Sequence, residues 1–175
     1  GPVSLEPPVG AEVVRVRTAL EMLDAARAPF ATCDIAVFTA AVADMRPARA
    51  ASRKLKKGRP EDEAALESIA LVPNPDVIET LASAKSERQV VVGFAAETED
   101  VVVNAQRKLA SKHADLIVGN RVGDGLAFGT DDDEAVLVTG QGAEELPPLP
   151  KRTLADRILD RAVRLRDGER VAAGR

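Results

Sequence analysis

Short apolar strands alternate with amphipathic helices along most of this chain, and this alternation restricts the fold more than any other feature. The strands are rich in Val and Ile and are predicted at 34–38, 89–94, 115–118 and 134–138. Strands that are apolar at successive positions are buried on both faces, which is typical of parallel sheets covered by helices. The sequence therefore predicts an α/β fold with three layers, a mainly parallel sheet with helices on both faces.

Capping signals and apolar stripes predict where the helices begin and end. Thr18 and Glu21 have capping-box spacing, which predicts a helix from Thr18 that Pro29 stops. Asn74 and Thr98 are predicted N-caps of two further helices, the first reaching to about residue 84. A final amphipathic helix is predicted over 153–165, and its buried side is predicted to carry Leu154, Ile158, Leu159 and Val163.

Weaker patterns predict the remaining segments. Residues 12–16 are predicted as a short strand, and 66–72 as a second one. A polar, flexible region is predicted from Arg46 to Ala64. The other expectations are a Gly-rich loop at 123–129, an acidic turn at Asp131, Asp132 and Asp133, and a stiff connector at Pro147, Pro148 and Pro150.

Composition excludes several classes of protein. A net charge of −4 and an aromatic content of 2% argue against a nucleic-acid partner. The single Cys33 and the single His113 exclude an internal disulfide, a cysteine metal cluster and a histidine metal site. No apolar run approaches membrane-spanning length and no signal peptide opens the chain, so we expect a cytoplasmic protein without a membrane partner. At 175 residues, one domain is expected.

Small residues and one carboxylate follow the strand at 34–38, in the run from Phe38 to Asp44. Small side chains let a ligand approach the backbone, and ligands of open α/β sheets bind beyond the carboxyl ends of the strands. Residues 74–76, 93–98 and 119–120 are expected at the same edge, which predicts a nucleotide-sized site. The alternative is that Asn74 and Thr98 only cap helices.

Two groups of lysines could contact phosphates. Lys54, Lys56 and Lys57 lie in a predicted loop that is either a flap over a polyphosphate or a solvated surface. Lys108 and Lys112 are four residues apart, so they share a helix face. They either bind phosphate oxygens or complement the helix dipole. Metal ligands are not identifiable from the pattern.

Six motifs, in this order, resemble one family: Ala40-Ala41-Val42-Ala43-Asp44, Lys54-Leu55-Lys56-Lys57, Asn74-Pro75-Asp76, Val92-Gly93-Phe94-Ala95-Ala96-Glu97-Thr98, Lys108 with Lys112, and Asp115-Leu116-Ile117-Val118-Gly119-Asn120. The family is bacterial phosphopantothenate–cysteine ligase, the synthetase domain of the bifunctional coenzyme A biosynthesis protein. The resemblance covers residues 1–165 and leaves 166–175 as a C-terminal tail. It also implies that the family's first βαβ portion, with its Asn-x-Ser-Ser-Gly-Lys-Met-Gly segment, is absent.

The resemblance implies a Rossmann-like fold, a homodimer and frequent fusion to a flavin-dependent decarboxylase. It implies CTP with Mg²⁺, 4′-phosphopantothenate and L-cysteine as ligands, and no flavin in this domain. An acyl-cytidylate would form with loss of pyrophosphate, and cysteine would then displace CMP. By similarity, Lys54 is the catalytic flap lysine and Lys108 and Lys112 face the triphosphate. The remaining nucleotide contacts would be Phe38, Thr39, Ala40, Asp44, Pro75, Asp76, Val77, Ile78 and Phe94.

Two other classes of protein remain as alternatives. The absent Asn-bearing segment would suit a nucleotide-binding or assembly module without catalysis. A nicotinamide-dependent reductase on a similar fold would need a glycine fingerprint and a ribose-binding acid after the second strand, and neither is visible. The family resemblance therefore favours a CTP-dependent acid–amino-acid ligase.

Overall fold

The structure is a computed structural model that describes residues 6–122 and 132–168. Its helices are α1 (Ala19–Phe30), α2 (Pro60–Glu67), α3 (Val77–Ala82), α4 (Val101–Ser111) and α5 (Lys151–Arg166). Its strands are β1 (Ile35–Phe38), β2 (Met45–Pro47), β3 (Leu71–Pro73), β4 (Val90–Glu97), β5 (Leu116–Arg121), β6 (Asp132–Thr139) and β7 (Gly142–Pro150). The chain divides into two compact units, the first formed by Gly1–Ala25 and Ala41–Asp76 and the second by Ala26–Ala40 and Val77–Arg175.

The second unit contains a sheet whose described strands lie in the order β1-β4-β5-β6-β7. β1, β4 and β5 are parallel neighbours, β6 is antiparallel to β5, and β7 is antiparallel to β6. Four of these five described strands therefore point in the same direction. The predicted mainly parallel α/β sheet is confirmed.

Helices cover both faces of this sheet. Leu116 and Val118 of β5 pack with Leu154 and Ile158 of α5, together with further residues of β4 and β6. Ile117 points to the opposite face, where the core is formed by Ala95, Ala105, Ile117 and Val138. Successive strand residues face opposite sides of a sheet, so one apolar run supplies both cores. The three-layer arrangement is therefore confirmed.

The buried side of α5 differs in part from the predicted one. Leu154 and Ile158 are buried as predicted, and the stripe continues through Ala162 and Leu165. Leu159 and Val163 are 47% and 38% exposed, so their predicted burial is wrong. Each lies one residue beyond a buried position, which rotates its side chain by about 100° around the helix axis, away from the sheet.

The predicted proline connector is instead strand β7 at the edge of the sheet. Its register with β6 shifts between the pairs Ala135–Leu146 and Asp133–Leu149, and Pro147 and Pro148 lie at this irregularity. Proline has no N–H to donate to a ladder, so it is tolerated in strands at edges and bulges. The sequence pattern did not reveal that these prolines lie at such positions.

The first unit contains α2 and an antiparallel ribbon of β2 and β3. The region from Arg46 to Ala64 was predicted to be flexible, but it contains part of β2 and the start of α2. The strand predicted at 66–72 is shorter, because α2 extends to Glu67 and β3 begins at Leu71. Residues 12–16 form no strand with the described residues, and Val13 and Val14 are 49% and 59% exposed. An apolar run without a partner strand has no ladder to join.

Helix α1 begins at the predicted capping box. The Thr18 hydroxyl accepts a hydrogen bond from the Glu21 N–H at 3.1 Å, and the Glu21 carboxylate accepts one from the Thr18 N–H at 3.2 Å. The Arg17 N–H also donates to Glu21, at 2.7 Å. These backbone donors, Arg17 before Thr18, lower the pKa of Glu21. Pro29 is accommodated inside the helix, which ends one residue later.

The other two predicted N-caps are wrong. α3 begins at Val77 rather than directly after Asn74, whose side chain bonds to other loop residues. α4 begins at Val101, and Asp100 is its N-cap in the left-handed conformation with φ of 49°, rather than Thr98.

Some predictions fall at the limits of the described chain. The predicted Gly-rich loop at 123–129 and Asp131 lie outside the described residues, whereas Asp132 and Asp133 belong to β6 rather than to a turn. Arg166, assigned to the tail, is the last residue of α5. Among the described residues, no helix is long and apolar enough to cross a membrane.

Candidate functional site

Two of the four segments predicted at the ligand edge, 93–98 and 119–120, lie on neighbouring strands of the second unit, together with the first residues of a third. Phe38, the last residue of β1, pairs with Gly93 in the middle of β4. Residues 95 and 96 pair with Gly119 and Asn120 of β5. Because β1, β4 and β5 are parallel, their carboxyl ends share this edge. Thr39 and Ala40 are exposed there.

Two glycines at this edge allow helices to pack closely on the sheet. A Cβ atom at Gly93 would lie 2.8 Å from Ile78 Cδ1 and 2.9 Å from Ile117 Cδ1. A Cβ atom at Gly119 would lie 2.8 Å from Val101 Cγ1. The absence of a side chain at Gly93 thus allows the first turn of α3 to rest on β4. Val77 is buried and Ile78 half-buried, so both have a packing role in addition to their predicted ligand contact.

Phe38 and Phe94, the two aromatic residues predicted to contact the nucleotide, also pack against other apolar side chains of the second unit. The rings of Phe38 and Phe30 are tilted neighbours with centroids 6.5 Å apart. Phe94 is half-buried and packs against the core on the α5 side of the sheet. Successive strand residues face opposite sides, so Phe94 and Ile78 lie on opposite faces next to the same edge.

Lys108 lies in the last turn of α4 and Lys112 is the C-cap that follows the helix, and each is paired with a carboxylate. The Lys108 ammonium lies 2.9 Å from Glu97, and the Lys112 ammonium 3.0 Å from Glu79. Glu97 also accepts a hydrogen bond from Asn104 at 3.1 Å. Glu97 and Glu79 were missed as site candidates. The signal that could have found Glu97 was a carboxylate ending a buried strand directly before the lysine-bearing helix.

In the first unit, Asn74 connects two of the predicted segments. Its side-chain amide donates to the Ala43 carbonyl at 2.7 Å, and its backbone N–H donates to the Asp44 carbonyl at 2.7 Å. The Arg46 guanidinium donates to the Asn74 side-chain oxygen at 3.3 Å and also to the Pro73 carbonyl. The segment ending in Asp44 is therefore joined to the segment 74–76, and Asp44 and Asp76 are exposed. Arg46 was not predicted to take part.

The first unit carries carboxylates of the kind that bind a metal entering with a phosphate ligand. Among the described residues, no three His, Cys, Asp or Glu side chains gather into a metal site. Mg²⁺ commonly takes one or two carboxylates together with phosphate oxygens and water. Asp44 and Asp76 are exposed carboxylates of the required kind.

The predicted nucleotide site stays a prediction, because its residues belong to different units. Asp44, Lys54, Pro75 and Asp76 lie in the first unit. The second unit contains Phe38, Thr39, Ala40, Val77, Ile78, Phe94, Lys108 and Lys112. A pocket of about 410 Å³ in the second unit is lined by none of them. It is lined by Asp100 and by residues of α4, β5, β6 and β7 that include Arg121 and Glu134.

Comparison with known proteins places this geometry in a family. Residues 1–165 match the family described as the DNA/pantothenate metabolism flavoprotein C-terminal domain. The chain is 42% identical over 160 residues to the coenzyme A biosynthesis bifunctional protein CoaBC of Vibrio vulnificus (strain CMCP6), which covers 91% of this chain and 39% of the relative. For the protein of the same name from Mycobacterium tuberculosis (strain ATCC 25618 / H37Rv), identity is 39% over 166 residues, covering 89% of this chain and 39% of the relative. The chain therefore spans about two fifths of the length of these curated relatives.

Solved structures agree with this relationship. The crystal structure of the C-terminal domain of a coenzyme A biosynthesis bifunctional protein CoaBC superposes with a TM-score of 0.74 at 32% identity, covering 95% of this chain and 72% of that one. The DNA/pantothenate metabolism flavoprotein of Streptococcus pneumoniae shares the fold, with a TM-score of 0.68 at 17% identity, covering 93% and 75%. The Rossmann-like fold and the resemblance inferred from the six motifs are confirmed. The chain belongs to the family of DNA/pantothenate metabolism flavoprotein C-terminal domains.

Proposed function

We propose that this chain catalyses the CTP-dependent ligation of 4′-phosphopantothenate with L-cysteine, in coenzyme A biosynthesis. The observation that carries the proposal is the 42% identity, over 91% of the chain, with a bifunctional protein named for coenzyme A biosynthesis. The small residues Thr39 and Ala40, exposed directly after β1, support a ligand that approaches the backbone at this end of the sheet.

The proposed reaction has two halves. A carboxylate oxygen of phosphopantothenate attacks the α-phosphorus of CTP, the bond between the α- and β-phosphates breaks, and pyrophosphate leaves with the bonding electrons. The neutral amine of cysteine then attacks the carbonyl carbon of the acyl-cytidylate, CMP leaves, and the amide nitrogen loses a proton. Because an oxide ion is a poor leaving group and CMP a good one, activation makes the carboxylate replaceable.

The protein's part in this scheme is to position reactants and to balance charge. Lys54 would place an ammonium beside the reacting phosphate. Lys108 and Lys112 would face the other phosphates, while Glu97 and Glu79 hold their ammonium groups in place. The nucleoside would contact the strand-end residues at 38–40 and 94, the start of α3, and the carboxylates Asp44 and Asp76.

Further properties belong to the same proposal. Mg²⁺ would accompany the triphosphate and reduce its negative charge, with Asp44 or Asp76 as available oxygen ligands. The word bifunctional in the names of the relatives supports fusion to another domain, which we propose is a flavin-dependent decarboxylase. A homodimer and a cytoplasmic location complete the proposal.

A pyrophosphate assay on the intact polypeptide tests the proposal. With CTP, Mg²⁺ and phosphopantothenate, we expect stoichiometric pyrophosphate, and continuous turnover to CMP and phosphopantothenoylcysteine once cysteine is added. ATP and NADPH serve as control ligands in calorimetry. CTP binding without pyrophosphate release would instead indicate a non-catalytic module, and preferential binding of NADPH would indicate a reductase. Either result would overturn the ligase.

Lys54→Gln should slow pyrophosphate formation by about 10²- to 10³-fold, because it removes one preorganised cation from the developing charge. Lys57→Gln is the matched control, since it removes the same charge from the same loop. We expect it to change the rate only a few-fold. Equal rates for the two variants would show that the loop supplies only a general attraction for anions.

A further inference from the structure

Asp62 is the one charged residue that is buried among residues 6–122 and 132–168. It is 1% exposed, whereas its neighbours Glu61 and Glu63 in the same turn are exposed. A buried carboxylate is unfavourable unless hydrogen bonds and an opposite charge replace its water. The hydrogen-bond partners of Asp62 should therefore indicate the role of the buried carboxylate.

Three N–H groups bind the Asp62 carboxylate. The Arg53 guanidinium donates from Nη1 to Oδ2 at 2.8 Å and from Nη2 to Oδ1 at 2.5 Å, a bidentate pair. The backbone N–H of Lys56 donates to Oδ2 at 3.0 Å. Asp62 also lies in the first turn of α2, where the helix dipole favours a negative charge. Arg53, and then the Lys56 N–H, keep the pKa of Asp62 below its ordinary value although burial raises it.

These bonds fix the chain on both sides of Lys54. Arg53 precedes it directly, the Lys56 amide follows two residues later, and Leu55 between them is half-buried. The turn then closes through a hydrogen bond from the Arg59 N–H to the Lys56 carbonyl at 3.3 Å, with Gly58 at φ of 82°. The side chain of Lys54 remains exposed. The loop therefore has a restrained backbone and an accessible ammonium.

We propose that Asp62 and Arg53 form a clamp that positions the loop carrying Lys54, so that Asp62 is a positioning residue for phosphoryl transfer. This inference rests on the proposed function for the role of Lys54. A free lysine-rich loop has many backbone conformations, and ordering it at the moment of reaction is unfavourable. A loop that is already ordered presents the ammonium in a narrow range of positions, which favours the transition state.

Hydrogen exchange on the intact polypeptide tests the clamp without any ligand. Asp62→Asn keeps the shape of the side chain but removes its charge, and we expect the amides at 54–58 to exchange about tenfold faster or more. Glu63→Gln, which removes a charge from the next residue of the same turn, should exchange like the parent. Amides of β4 report global folding and should keep their protection. Unchanged exchange at Lys56 in Asp62→Asn would overturn the clamp, whether or not the protein is a ligase.

Kinetics then test whether the clamp acts through Lys54. In the pyrophosphate assay, Asp62→Asn should lower kcat by about ten- to a hundredfold with a smaller change in KM for CTP. The double variant Asp62→Asn/Lys54→Gln should be no slower than Lys54→Gln, because a positioning residue has nothing left to position. Arg53→Lys should retain more activity than Arg53→Gln.

Additive losses in the double variant would show that Asp62 acts independently of Lys54 and would overturn the positioning role. A parent polypeptide that releases no pyrophosphate would overturn the ligase itself and any role of Lys54 in it. The exchange experiment would then still decide whether the clamp exists, so the two failures are distinguishable.

Discussion

At the scale of single residues, a substitution at Gly93 tests how tightly β4 is packed against Ile78 and Ile117. Gly93→Ala places a methyl group within 3 Å of Ile78 and Ile117, which must move to make room. We expect this variant to lower the free energy of unfolding by about 1–3 kcal/mol in denaturant titrations, the usual effect of overpacking. Because Ile78 is also a predicted nucleotide contact, CTP affinity should fall with it.

Gly140→Ala is the matched control for that change. A Cβ atom there meets nothing within 4 Å, and Gly140 lies in the turn between β6 and β7. Its free energy of unfolding should stay within about 0.5 kcal/mol of the parent. Equal losses at the two glycines would contradict contact with the isoleucines as the origin of the effect.

Contacts between individual side chains were the features that the sequence predicted least well. The spacing of Lys108 and Lys112 predicted a shared helix face, but α4 ends at Ser111, and the partners Glu97 and Glu79 come from other elements. Asp62 lies within the region predicted to be polar and flexible, and only the contact with Arg53 distinguishes it from the other acids there. Ion pairs between distant segments depend on register and packing, which a local pattern does not contain.

At the scale of elements, α5 offers a comparison between adjacent residues. Ile158 is 5% exposed and packs on the sheet, whereas Leu159 is 47% exposed. Ile158→Ala should lower the free energy of unfolding by about 2–5 kcal/mol, because it leaves a cavity in the core. Leu159→Ala should lower it by less than about 1 kcal/mol. Similar losses in urea titrations would contradict the observed orientation of the helix.

The elements themselves were predictable to different degrees. β4 and β5 were predicted in the right places but too short, at 89–94 and 115–118, because the uninterrupted apolar run that marks a strand buried on both faces covers only the first part of each strand. Residues 12–16 carry a similar pattern but have no partner strand among the described residues, so the pattern alone was misleading. β7 is a strand that the pattern did not predict. Its prolines indicate a connector unless it is known that the strand lies at the edge of the sheet.

At the scale of the whole molecule, two carboxylates predict how stability depends on pH. The pKa of Asp62 lies below its ordinary 3.8 and the pKa of Glu21 below its ordinary 4.5, because both accept hydrogen bonds in the folded state. The folded state therefore binds these protons less readily than the unfolded state. Their stabilising contribution is complete above the ordinary values and is lost as the pH falls through the lowered ones.

Asp62→Asn should accordingly reduce stability most at neutral pH, and its difference from the parent should shrink under acid conditions below the ordinary aspartate value. Urea titrations of both proteins from neutral to acid pH measure that difference. A gap that stays constant over the whole range would contradict ionisation as its origin.

The proline-containing strand β7 has a consequence for how the protein behaves at high concentration. An open sheet border with free N–H groups invites pairing with strands of other molecules, and this growth can continue into fibrils. Pro147, Pro148 and Pro150 supply no such groups among the last four residues of β7. The border formed by β7 is therefore a poor template for aggregation, a protection built from the same residues that make the strand difficult to recognise.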